Sequence, residues 1–213
     1  MKLDSSRTRY SDRVAFLLRQ SMRSLQVAAL SLLLLGLSIE LGAAQGPSTP
    51  KAHVYLLRGV LNIFSLGLDE IAAKLRRLGI YATVDNYLGW QGLADQAAAD
   101  YKSGRLRTII LVGHSSGATA VTSMAARLGQ YGVPVKLAIG LDPTSHETAS
   151  GHVDRYINYY IRNGLGAAVD KGRQFTGALQ NVDMEKHSDI GHFNIDKNQA
   201  LQEQIIREIR AAL

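Results

Sequence analysis

The sequence predicts an α/β fold: a mostly parallel sheet of about five to six strands with helices on both faces. Three observations lead there. Short apolar runs alternate with helical segments at close spacing, as helical crossovers between parallel strands require. One run, residues 108–112, ends in Gly113-His114-Ser115-Ser116-Gly117, and a small-residue helix follows over 118–128. Residues able to do chemistry fall just after the apolar runs, at the strand ends where open parallel sheets bind ligands.

The elements follow in order. Residues 52–57 (Ala-His-Val-Tyr-Leu-Leu) read as a central strand that runs into Arg58-Gly59-Val60-Leu61. A helix is predicted over 66–78: Asp69 and Glu70 open it, Arg76 and Arg77 close it and Gly79 stops it, with Ile71, Leu75 and Leu78 as its apolar stripe. A second strand spans 80–85 and a second helix 91–102, with Trp90 packed over its start or lining a cleft. After the 108–128 unit, Pro134 leads into a buried strand over 135–141 that closes on Asp142-Pro143-Thr144. A tyrosine-rich strand covers 153–162. Residues 163–191 read as a long glycine-rich loop that could cover the cleft, and a terminal helix runs over 197–213 with Asp196 as its cap.

The first 44 residues stand apart. Six cationic residues precede an apolar run over 27–39, small residues follow at 42–44, and a proline-bearing linker spans 45–51. This reads as a secretory signal peptide cut after Ala44, which implies export to the periplasm or beyond. A retained membrane anchor over 27–44 is the alternative, although the run is shorter than the roughly 20 residues a spanning helix needs. Without residues 1–44 the 24 basic and 18 acidic residues become 18 and 15, so +6 falls to +3. No basic cluster with interleaved aromatics remains to argue for nucleic acid. With no cysteine, a normal hydrophobic core over 52–213 must carry a single domain.

Strand, Gly-x-Ser-x-Gly and helix together make a serine nucleophile the better reading of Ser115 and a structural turn the lesser one. The segment resembles the nucleophile elbow of the α/β-hydrolase superfamily, in its lipase, esterase and thioesterase branch. That resemblance implies a compact α/β-hydrolase domain with an acid and then a histidine later in the chain. It implies an oxyanion hole made by the Ser116 N–H and an N–H from the loop after the first strand, at Val60 or Leu61. Many relatives carry His-Gly there, and Arg58-Gly59 departs from it, which leaves both donors open.

Gly140-Leu141-Asp142-Pro143 is similar to the Gly-Leu-Asp-Pro segment of the lipase branch, so Asp142 is the expected acid. A turn cap is the plain alternative, and Asp170 and Asp183 are its rivals. His192, just before the terminal helix, is the expected base and His187 its rival. His53 and His114 precede the acid, and His114 packs beside the serine. His146 and His152 decorate a loop, and a metal site at His187, Asp189 and His192 is the weaker explanation of that cluster. The expected activity is therefore cleavage of an ester or thioester through an acyl-enzyme, by Ser115, Asp142 and His192, with neither cofactor nor metal required. An acyltransferase using the same triad and a non-catalytic, membrane-anchored binding protein on this scaffold are the alternatives.

Overall fold

The computed structural model describes residues 51–60 and 62–213. The expected leader and all but the last residue of the linker lie outside those residues. Strand β1 (Ala52–Arg58) is followed by a short 3-10 turn (Ile63–Ser65) and helix α1 (Gly67–Arg77). Then come β2 (Ala82–Asn86), α2 (Trp90–Lys102), β3 (Thr108–His114), α3 (Ser116–Gln130) and β4 (Val135–Leu141). The remainder is β5 (Glu147–Ala149), β6 (His152–Tyr160), β7 (Val169–Lys171), β8 (Thr176–Asp183) and α4 (Gln199–Ala211).

Six strands form one sheet in the order β2-β1-β3-β4-β6-β8, and every neighbouring pair is parallel. β5 and β7 make a separate parallel pair. Side chains alternate across β1 and β3, so each buries residues on both faces. On one face Tyr55, Leu57, Ile109 and Leu111 pack with Ala94 and Ala97 of α2 and with Val121, Met124 and Leu128 of α3. On the other, Val54, Leu56, Ile110 and Val112 pack with Ile71 and Leu75 of α1 and with Leu201, Ile205 and Ile209 of α4. Trp90 begins α2 and packs against the first of these clusters.

The chain leaves β1 toward β2 on one side and returns to place β3 on the other. The carboxyl ends of β1 and β3 therefore flank the switch point, where a crevice opens in such sheets.

Two expectations need correction. Residues 163–191 are not one loop, since they contain β7 and β8, and β8 is an edge strand paired along β6. Most of β8 is exposed and polar, so it lacks the buried run that marks the central strands. The terminal helix begins at Gln199, not at Lys197, and its cap is Asn198, whose side chain accepts from the Leu201 N–H at 3.0 Å. Asp196 instead accepts at 2.8 Å from the N–H of Gly67, the first residue of α1.

Candidate active site

The geometry begins with a strained residue. Ser115 has φ 59° and ψ −126°, a conformation that costs a non-glycine residue energy and survives only where the surroundings enforce it. Its neighbours enforce it by close approach. A Cβ on Gly113 would lie 2.2 Å from the carbonyl oxygen of Gly117, and one on Gly117 would lie 1.9 Å from that of Leu57. The Ser115 N–H donates to the Leu141 carbonyl at 2.9 Å, which ties the turn to the end of β4. Ser116 is the first residue of α3, so its N–H has no partner within the helix and lies at the positive end of the helix dipole.

One residue past β4, Asp142 is fully buried with φ 51°. Its N–H donates to Tyr159 at 2.7 Å, and its Oδ1 accepts from the Ile161 N–H at 2.8 Å. Its Oδ2 lies 2.7 Å from Nδ1 of His192, and Nε2 of that ring lies 3.1 Å from the Ser115 hydroxyl. Three side chains distant in sequence thus meet in hydrogen-bonded order at adjacent strand ends. The structure brings Asp142, not Asp170 or Asp183, to His192. Asp170 faces His146 at 2.8 Å, and Asp183 faces Arg162 at 2.8 Å. His187 makes a backbone turn with Met184 instead. Among the described residues no group of three His, Cys, Asp or Glu side chains gathers as a metal site would.

Val60 follows Gly59 on the loop after β1, and Leu61 lies outside the described residues. Gly59 itself lies close against the serine, since a Cβ there would be 2.9 Å from that of Ser115.

Sequence reasoning missed two features. His114 is nearly fully buried, with its Nδ1 2.8 Å from the Ser65 hydroxyl and its Nε2 2.8 Å from the His192 carbonyl. Burial pushes its pKa down to about 4, against the raising effect of the His192 carbonyl, so the ring is neutral near neutral pH. Ser65 is fully buried and accepts from the Gly59 N–H at 3.0 Å. Only the polar His114 inside the elbow hinted at this arrangement; nothing marked Ser65. The other feature is an apolar rim. Val60, Ile63, Phe64, Leu66 and Phe193 are each at least 40% exposed. The Phe193 ring stands edge-on to His192 at 5.2 Å and packs beside Phe64 at 5.4 Å.

Comparison with solved structures agrees with this architecture. The type II thioesterase BorB from the borrelidin biosynthetic cluster matches with a TM-score of 0.51 at 12% identity, over 78% of this chain and 94% of its own. The chain has an α/β-hydrolase fold. A Listeria innocua gene product matches at 10% identity and TM-score 0.49, over 73% of this chain and 92% of that one. A protein of the alpha/beta hydrolase superfamily from Xanthomonas campestris pv. campestris matches at 16% identity and TM-score 0.44, over 75% and 99%. At such identities the likeness is one of fold. No protein-family model and no curated protein matches the sequence.

Proposed function

We propose that the protein is a serine hydrolase that cleaves an ester or thioester of an apolar acyl group. One observation carries the reading: the unbroken contact from Asp142 through His192 to a serine held at a strained turn. In this reading Ser115 Oγ attacks the acyl carbonyl while His192 Nε2 takes its proton. Asp142 holds the other ring proton on Nδ1, which keeps Nε2 free to accept and stabilises the imidazolium that results. The Ser116 N–H, with an N–H of the Val60–Leu61 loop, donates to the carbonyl oxygen as it becomes an oxyanion; a donor of this kind is worth about 3 kcal/mol. Collapse of the tetrahedral species expels the alcohol or thiol, to which His192 returns the proton. Water then enters by the same steps, and the carboxylic acid leaves.

The exposed Phe64–Phe193 pair beside His192 supports an apolar acyl chain, because exposed apolar surface next to a reactive group is a binding surface more often than an accident. The likeness to a type II thioesterase is one of fold and leaves ester and thioester on an equal footing. The leader, read as a signal peptide, supports action outside the cytoplasm by a single catalytic domain over 52–213.

Stopped-flow kinetics with a p-nitrophenyl acyl ester test the reading, with the matching acyl thioester run beside it. The expected result is a p-nitrophenol burst stoichiometric with protein, lost in Ser115→Ala. Acid as the only acyl product, even with an alcohol or amine acceptor added, separates hydrolysis from acyl transfer. Turnover of neither substrate would overturn the proposal and leave the binding protein.

A further inference from the structure

We infer that His114 and Ser65 form a buried relay that fixes the His192 backbone and the loop after β1 relative to Ser115, and are positioning residues for the acyl transfer. The inference rests on the function proposed above. It starts from donor and acceptor chemistry. The His192 carbonyl can only accept, so His114 Nε2 carries a proton and donates to it at 2.8 Å. In a neutral ring Nδ1 then accepts, and among the described residues its partner is the Ser65 hydroxyl at 2.8 Å. With its hydrogen spent on His114, the Ser65 oxygen accepts the Gly59 N–H at 3.0 Å. The chain therefore has one direction, from Gly59 through Ser65 and His114 to His192.

Its ends lie on two parts of the reacting centre. Gly59 packs against Ser115 and begins the loop expected to supply an oxyanion donor. His192 is now held twice, at its ring by Asp142 and at its carbonyl by His114. Because His114 is bonded to Ser115, a ring closes from His114 through the His192 backbone and imidazole to the Ser115 hydroxyl. That ring sets how far the imidazole stands from the nucleophile. The alternative, a filler at the end of a buried strand, would be met more cheaply by an apolar side chain, since burying an imidazole and a hydroxyl costs desolvation that only these bonds offset. The titratable and charged groups facing His114 are His192, Asp142 and Lys197.

A misplacement of the reacting groups by about 1 Å can cost on the order of 10² in rate. The experiment compares Ser65→Ala, His114→Phe, the double variant and His114→Gln, using the acyl ester and monitoring folding by thermal melts. The relay predicts that each single change lowers kcat by on the order of 10² while KM, set by the apolar rim, stays near that of the unmodified protein. It predicts that the double variant loses no more than the worse single one, because both break the same chain. His114→Gln, whose amide N–H reaches the His192 carbonyl, recovers part of kcat. Unchanged kcat in folded Ser65→Ala, or losses that multiply in the double variant, overturn the relay. If His114→Phe does not fold, Ser65→Ala and His114→Gln still decide. Fluorophosphonate labelling of the unmodified protein separates the two failures: absence of labelling at Ser115 removes the hydrolase reading and the relay with it. Labelling with unchanged variants removes the relay alone.

Discussion

Both oxygens of the Asp142 carboxylate are occupied, Oδ1 by the Ile161 N–H and Oδ2 by His192. An asparagine there must keep its carbonyl on the Ile161 N–H, which turns its NH₂ toward Nδ1 of His192. The ring would then carry its proton on Nε2, facing a serine it could no longer deprotonate. Asp142→Asn should therefore fold normally and lose on the order of 10⁴ in kcat. Measured rates near those of the unmodified chain would remove Asp142 from the acid role. The residues of this contact were legible in the sequence because each sits beside local punctuation: glycines around Ser115, a proline after Asp142, a helix start after His192. Ser65 had no such mark, because its partners lie at positions 59 and 114 and meet it only through the fold. Val60 and Leu61 stayed a pair in the sequence because Arg58-Gly59 is not the usual dipeptide.

Elements were legible where burial makes them periodic or continuous, as in β1, β3, β4 and at Ile71 and Leu75 of α1; Leu78, read into the same stripe, is the exposed residue that ends the helix. They were not where an element is held by its neighbour's backbone, as β8 is by β6. Capping shows the same limit. Asp196 looked like the cap of the helix that follows it, but its carboxylate serves the start of α1, which is 129 positions away in sequence. Asn198 does the local work instead. Asn198→Ala should thus cost about 1 kcal/mol in urea unfolding and leave kcat unchanged. Asp196→Ala should also lower stability, because it strips the cap from α1, and should lower kcat as well, because residue 196 lies four positions past His192. Equal kcat in the two variants would show that the α1 contact has no hold on the His192 loop.

For the whole molecule, two buried groups, His114 and Asp196, and the half-buried His53 set the acid response. Burial pushes His53 and His114 each down to about 4. In the unfolded chain both take up a proton near pH 6.5, so the unfolded state binds more protons between about 6.5 and 4, and stability must fall as pH falls through that window. Burial pushes Asp196 up to about 6, against the lowering effect of the Gly67 N–H. Its sign is opposite: below that value the folded state holds the extra proton, so this group favours the native state as pH falls toward the usual carboxylate range. With two groups against one, the urea midpoint should drop from pH 7 to pH 4.5, most steeply at about pH 5.5 to 6, where the unfolded histidines are mostly protonated and Asp196 offsets them only in part. His53→Gln should flatten the drop. A midpoint that holds or rises on acidification would contradict the burial of these rings. The fold class was open to sequence reading at this scale, since alternating strands and helices admit few architectures. The two-stranded β5–β7 pair was not, because three-residue strands leave no period to read.

The central claim is that Ser115 is a nucleophile activated by His192, and mass spectrometry of the fluorophosphonate-treated chain tests it most directly. A single adduct is expected on the peptide carrying Ser115, retained in Ser116→Ala and lost in both Ser115→Ala and His192→Ala. An adduct on Ser116, or one formed as fast without the imidazole of His192, would contradict the account.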